Sequence, residues 1–449
     1  MDNEATDKTT SFESHWYTPD DPRYTAELAG FQTAYGHRPD VVVAARHAED
    51  VRAAVEYAAR HRLPVAVQST GHGLSVPADR GVLVTTRRLD TIDIDPERRV
   101  ARVGAGVRAG DLVTATAEHG LAPLNGSSPT VGVVGYLLGG GVGLMVREFG
   151  YAADHVTAVD LVTADGRRRT LRPGDELFAA VLGSGGNFGV VTGVEVQLVP
   201  VARIFGGQMM FDTPLVPAVV RAWRAWTHTV PDTLTSSLAM VRLPDLPVLP
   251  PHLRGHFVAS IRIVSTSSAE ESERLVAPLR AVGTPLTDDL RDMPYTESYT
   301  VHRDPEDPHA YAATNALLAD LPEEATDGLL AALGPEPTVV TDIRHLGGAT
   351  HTTTSDNVIE HRDARYAVRL IGEGTDTMEP ADFKRPLDAL APWTVGRHLN
   401  FVYGAAAAAG DEQTASGYSA DTYARLTRLK QRYDPANMFR FNRNIRPAG

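Results

Sequence analysis

The chain has 449 residues, 43% of them hydrophobic and 22% charged, with a formal net charge of −13 and no cysteine. This composition is long and apolar enough for two packed domains and excludes a disordered or fibrous chain. The negative balance and the scattered basic residues argue against nucleic acid as a partner, and the missing cysteine excludes disulfides, thiolate metal sites and a cysteine nucleophile.

In chain order, VVVAA at 41–45 reads as a buried strand. HAEDVRAAVEYAARHR reads as a helix whose inner face is Val51, Ala54, Val55 and Ala58, at i, i+3 and i+4 spacing. Strands are expected at 64–69, 81–86, 91–95 and 99–106, and a helix at 108–120 closed by Gly120 in a left-handed cap. HVTAVDLVTADGRRRTL predicts two strands about an Asp165-Gly166 turn. From about residue 201, GGQMMF, HFVASIRIV and RYAVRLIG alternate with helical segments and proline-rich turns, as in an antiparallel sheet with helices on one side. The alanine run 405–409 and the following GDEQTASG (410–417) read as a mobile surface loop. The tail SADTYARLTRLKQRYDP predicts an amphipathic helix with Tyr423, Leu426, Leu429 and Tyr433 inward and Pro435 just past its end.

Three glycine-rich loops stand out in the first half: QSTGHGLS (68–75), NGSSPTVGVVGYLLGGGVG (125–143) and LGSGGNFGVVTG (182–193). Glycine permits positive φ and close approach of backbone to ligand, and successive bare N–H groups cradle an anion. Three such loops suggest a long ligand carrying a pyrophosphate, with ordinary tight turns as the alternative. No glycine precedes a lysine as a Walker A loop needs, and the first strand–helix junction, AARHAED, lacks the Rossmann glycines. His72, flanked by glycines, is either a structural hydrogen-bonder or, as a neutral imidazole, a nucleophile towards an electrophilic carbon.

These motifs resemble those of the berberine-bridge-enzyme-like flavoproteins of the vanillyl-alcohol-oxidase, PCMH-type fold. The family's R-x-G-G-H is similar to QSTGH here, and its C-P-x-V-G-x-x-G-x-x-L-G-G-G-x-G to SPTVGVVGYLLGGGVG, with Ser128 at the cysteine position. Its G-G-G-G-N-F-G-V-V-T is similar to GSGGNFGVVT, and its Y-D-P-x-N-x-F-x-x-N-x-N-I to YDPANMFRFNRNI (433–445). The resemblance implies an α+β fold: a PCMH-type FAD-binding domain of two α/β subdomains, and a substrate domain whose antiparallel sheet is covered by helices. Its expected divisions are an N-terminal extension (1–37), the FAD domain (38–203), the substrate domain (204–400) and a C-terminal segment returning to the FAD domain (401–449).

The resemblance further implies FAD bonded through its 8α-methyl to His72, with no second link at Ser128, since a hydroxyl cannot act as the thiolate does. Cofactor contacts are then expected from Gln68, Ser69, Thr70, Gly71 and Gly73 in the first loop and from Ser128, Thr130, Val131, Gly132, Gly135 and Gly139 in the second. Gly186, Asn187, Gly189 and Val191 belong to the third loop, and Asn442 and Asn444 to the tail. The implied reaction moves a hydride to the flavin while a base removes a proton, with O₂ then reduced to H₂O₂; Val131, on the flavin face, favours an oxidase.

The family's Y-x-N-Y strand is matched by HLNFVYG, so His398 replaces the first tyrosine. With an ordinary pKa near ~6.5 it is the candidate base, sharing a strand face with Asn400 while Tyr403 lies on the other. Tyr403 and Tyr136 complete the catalytic candidates, with Arg362 a further one. The expected partners are a small-molecule substrate, a secondary-metabolite intermediate to judge from the Arg, Ala and Pro content, and O₂. A cyclase or isomerase without net redox, a carbohydrate oxidase and a binding protein without FAD are the rival readings. No membrane partner is expected and the chain reads as cytoplasmic, because no apolar run reaches the roughly 18 to 20 residues that span a bilayer and the N-terminus has no signal-peptide pattern; no metal centre is expected, and the chain is read as a monomer or homodimer.

Overall fold

A computed structural model describes residues 15–247, 249–352, 355–374, 380–404 and 410–448; the alanine run 405–409 lies outside them. The strand Val41–Ala44 is β-branched because it is buried on both faces and paired on both edges. It runs parallel to Val82–Thr85, which runs parallel to Val65–Gln68. Trp16–Tyr17 joins the outer edge antiparallel, so part of the expected N-terminal extension is a strand of this sheet. The helix Ala48–His61 buries Val51, Ala54, Val55 and Ala58, as their spacing requires.

A second sheet of five antiparallel strands follows, in the order Ile92–Asp95, Val100–Gly104, Val190–Gln197, Val156–Val162 and Arg168–Leu171. Gly166, with φ +75°, makes the expected turn before the last of these. The helix expected at 108–120 is shorter, Ala109–Ala117, with the chain already turning through Glu118–Gly120. One large core of valine, leucine and alanine joins both sheets with the C-terminal helix.

Among the described residues the third sheet has nine strands, all antiparallel, including Arg203–Phe211, Leu234–Arg242, Phe257–Ser265, Tyr311–Leu318, Val340–His345 and Tyr366–Glu373. Alternation divides its two faces by chemistry. Leu238, Ile261, Ile263, Ile343, Val368 and Leu370 point to the helices Val216–Thr227, Ala269–Arg280, Glu323–Leu333 and Pro380–Leu390, around buried Trp223. The opposite face carries Arg262, Asp342, Arg344 and Arg369 and closes over the first two sheets. Arg147 stitches this junction: its guanidinium donates to Leu234 O (2.9 Å) and Leu346 O (2.7 Å) and pairs with Asp232 (2.8 Å).

Two expectations at the C-terminus are corrected. Residues Gly410–Ala415 form a helix rather than a loop; Asp411 and Glu412 sit in its first turn, where acidic groups suit the dipole, and Arg446 of the returning tail pairs with Asp411. The tail helix Ala420–Tyr433 does bury Leu426 and Leu429, but Tyr423 and Tyr433 are only half-buried, and Lys430 is fully buried in their place. Its ammonium donates to Asn187 O (2.7 Å) and Phe439 O (2.9 Å) and pairs with Asp434 at 2.8 Å, while Asp434 accepts from Met438 N and Phe439 N. A charge so buried is tolerated only because every donor direction meets an acceptor.

Among the described residues no helix is long and apolar enough to cross a membrane. Asp434→Ala leaves the Lys430 ammonium buried without its counter-charge and is expected to cost about 3–5 kcal/mol; urea unfolding of the variant against the parent reads this.

Candidate active site

A cavity of about 500 Å³ opens between the three glycine loops and the charged face of the nine-stranded sheet. The first loop leaves the strand Val65–Gln68 with Gln68 buried; its amide donates to Leu28 O and Ala29 O and meets His37 at 3.0 Å, so it anchors the loop. Gly71, at φ +77°, lies so close to Gly30 that a Cβ would come within 2.8 Å of the Gly30 Cα. That approach brings Phe31 against His72, the two rings stacked at 3.6 Å and 14°. His72 Nε2 meets Thr130 Oγ1 at 2.8 Å, which in turn meets Ser128 Oγ at 3.0 Å, and Tyr311 donates its hydroxyl to His72 O at 2.6 Å. Burial pulls the His72 imidazole down to about 4, so it is neutral at physiological pH.

The second loop is tied to the first by Gly132 N donating to Thr70 Oγ1 at 3.2 Å. Ser128, Val131, Gly132 and Gly135 face the cavity; Gly139 does not, but a Cβ there would come within 1.8 Å of the Asn400 side chain, whose amide donates to Tyr136 O at 3.0 Å. Tyr136 presents its ring to the cavity while its hydroxyl donates to Leu124 O at 3.0 Å, and burial raises its pKa far above the ordinary phenol value. In the third loop Gly186, Gly189 and Val191 line the cavity. Asn187 is fully buried and clamps the tail instead, donating to Ser184 O and Arg443 O and accepting from Ile445 N. Asn442 lines the cavity and donates to Gly186 O, whereas Asn444 and Thr130 lie outside the lining.

The region around His398 differs from the expected strand. The strand there is Thr394–Gly396, and His398 begins a single 3₁₀ turn, Leu399–Phe401, because Asn315 takes over its backbone: His398 N donates to Asn315 Oδ1 (2.8 Å) and Asn315 Nδ2 to His398 O (2.9 Å). Alternation therefore does not apply, and Tyr403 faces the same cavity as His398, Asn400 and Phe401. Burial, with Arg369 and Arg344 adding to it, pulls His398 down to about 4 rather than the ordinary value near ~6.5. Arg362 pairs with Asp154 at 2.6 Å outside the cavity.

Two groups of cavity residues escaped the sequence reading. Phe31 and Tyr311, which hold His72, carry no local signal, because they reach it from sequence neighbours of Gly30 and from the third sheet. The other group is the charged face. Asp342 accepts from Arg262 Nη1 (3.2 Å), Arg344 Nε (3.0 Å) and Arg369 Nη1 (3.1 Å), and Asp304 accepts from Ser127 Oγ. Charged residues two apart on one face of a strand, Asp342 and Arg344 in TDIRH, were the available signal.

Comparison with known proteins agrees with this geometry. A family model described as "FAD binding domain" matches residues 39–172 and one described as "Berberine and berberine like" matches 408–446. The chain is 30% identical to (R)-6-hydroxynicotine oxidase of Paenarthrobacter nicotinovorans over 96% of both chains, and 25% identical to an FAD-linked oxidoreductase of Dictyostelium discoideum over 91% of this chain and 89% of that one. In structure it is similar to 6-hydroxy-D-nicotine oxidase from Arthrobacter nicotinovorans, with TM-score 0.83, 25% identity and 98% and 99% of the two chains covered. A xylooligosaccharide oxidase from Myceliophthora thermophila, at 18% identity, TM-score 0.84 and 97% coverage of both chains, shares the fold.

The residues present fit an FAD. Among the described residues the buried oxygens Ser69 Oγ, Asn442 Oδ1 and Asn444 Oδ1 have no protein partner, and a Cβ added at Gly73 or Gly135 would meet nothing within 4 Å, so main chain there borders open space of the kind a flat ring or a pyrophosphate fills.

The depressed histidines set a pH dependence. His72 and His398 lie near 4 and burial lowers His302 and His345 as well. Above about pH 6.5 these rings are neutral in folded and unfolded chains alike, and below it only the unfolded chain takes up protons. Stability is therefore expected to fall steadily as pH drops from about 6.5 to about 4, which urea midpoints across that range measure; ring titration of His72 or His398 near 6.5 by NMR would contradict it.

Proposed function

The chain belongs to the berberine-bridge-enzyme-like FAD-linked oxidoreductases, and from that premise we propose that it is an oxidase of a small organic molecule whose FAD is carried covalently by His72. The observation that carries the tether is the neutral imidazole held in one plane by Phe31 and at one nitrogen by Thr130. With Nε2 engaged, Nδ1 is the nitrogen left to bond the 8α carbon, and a neutral ring is the form in which that lone pair is available. Among the described residues nothing at Ser128 offers a second attachment, since its hydroxyl is hydrogen-bonded to Thr130.

When bound, FAD supplies the two-electron acceptor for the substrate and the route to O₂ and H₂O₂. The chain's own residues divide the remaining work. Segments 38–203 and 401–449 hold the cofactor, and 204–400 covers the substrate. Val131, half-buried on the cavity wall, leaves space for O₂ beside the loop. Tyr403 accepts from Arg369 Nη2 at 3.0 Å, which leaves its own O–H to meet the substrate, and His398 offers two ring nitrogens that have no protein partner among the described residues. His398 in its neutral state orients a substrate O–H or N–H as an acceptor. The relative named for 6-hydroxynicotine supports a small-molecule substrate over a sugar polymer, and an intermediate of secondary metabolism is our reading of the substrate class.

The test is colour and acid. Purified protein is expected to be yellow, to keep its flavin through acid precipitation, and to consume O₂ on turnover. His72→Ala is expected to release all its flavin into the acid supernatant; acid-stable flavin in that variant would falsify the tether.

A further inference from the structure

We infer that the substrate carries a carboxylate, bound by the guanidinium groups of Arg262, Arg344 and Arg369 on the sheet side of the cavity; this rests on the oxidase reading above. Among the described residues, the side chains of Asp, Glu, Lys and Arg that line the cavity are these three arginines and the two aspartates Asp304 and Asp342. Three positive charges against two negative leave one unmatched. His302 cannot alter this count, because burial and the neighbouring Arg344 and Arg262 hold it neutral.

An unmatched charge in a desolvated wall costs free energy unless a counter-charge arrives. The hydrogen-bond inventory shows the same vacancy. Asp342 takes one bond from each guanidinium, yet among the described residues Arg262 Nε, Arg369 Nε and His302 Nδ1 are buried without a partner. A carboxylate offers two oxygens and about four lone-pair directions in one plane, which is the acceptor array that paired guanidinium N–H groups donate to. Phe401 lies beneath Arg344 and Arg369, with the guanidinium carbons 5.6 and 4.3 Å from its ring centre, so their planes are set before any ligand binds.

The wall also stands in the right place. Arg344 Nη2 reaches Ser127 Oγ at 3.4 Å, one residue from Ser128 of the second glycine loop. Arg369 reaches Tyr403, whose ring meets Tyr311 at 5.1 Å, and Tyr311 holds the His72 carbonyl. The arginines and the tether thus border one cavity from two sides, and a bound carboxylate would direct the rest of a compact substrate towards the cofactor side.

The experiment titrates the holoenzyme with benzoate and with benzamide, equal in shape and different in charge, by calorimetry and by the flavin absorption change. Benzoate is expected to bind at least about tenfold more tightly, the scale of a charge-assisted pair. Arg344→Gln is expected to bring the two affinities together with flavin content unchanged. Equal affinities in the parent protein, or tighter benzamide, overturn the inference without needing any variant to fold. Flavin lost from Arg344→Gln with the benzoate preference intact would assign the wall to the cofactor and overturn it also. Failure of the oxidase reading looks different: a yellow preparation that consumes no O₂ on turnover, in which calorimetry still reads the anion preference.

Discussion

The cavity depends on one carboxylate. Asp342 lies opposite Arg369 in register, and Arg344, two residues on, shares with Arg262 the cross-strand partner Ser237. Burial alone would raise the Asp342 pKa, but Arg344, Arg369 and Arg262 together hold it well below the usual carboxylate range. Without that charge three guanidiniums would face one another in a desolvated wall, and repulsion would open the sheet face that closes the cavity. The apolar side of the same strands can be packed by four helices because all of this charge is confined to the other side.

The opposite wall follows a different rule. There the chain presents few charges and much main chain, and glycine is required where two backbones or a backbone and a side chain touch, as at Gly71 against Gly30 and Gly139 against Asn400. A polar ligand in such a wall is met by single neutral groups, Ser69, Asn442 and the imidazole of His72. Ser69 Oγ and Asn442 Oδ1, buried and without a protein partner among the described residues, mark the place as a ligand site. The two walls are joined by Tyr311 and Tyr403, which pass hydrogen bonds from the His72 carbonyl to the arginines through an edge-to-face ring contact.

Much of the fold was legible. The helix over Val51 to Ala58, the turn at Gly166 and the strands around VVVAA and HFVASIRIV are set by periodicity and turn chemistry, and the structure has them. The site was legible in part. The three loops converge on one cavity, and His72 stands where two of them meet. His398 was misread because Asn315, 83 residues earlier, bonds its backbone and breaks the strand. The buried Lys430 was not legible because a helical pattern shows which face is inward, not that a carboxylate and two carbonyls wait there for a cation.

The sequence by itself determined what depends on neighbours along the chain: the alternation and helical spacing, the glycines that allow close approach, and the absence of any thiol. Only the tertiary structure decided what depends on neighbours across it. It placed Phe31 on His72, lowered the basicity of His72 and His398 by burying them, and gathered Arg262, Arg344 and Arg369 around Asp342. The physical reason is that backbone preference is a local energy, whereas solvation and charge pairing are set by whichever groups folding brings within a few ångströms.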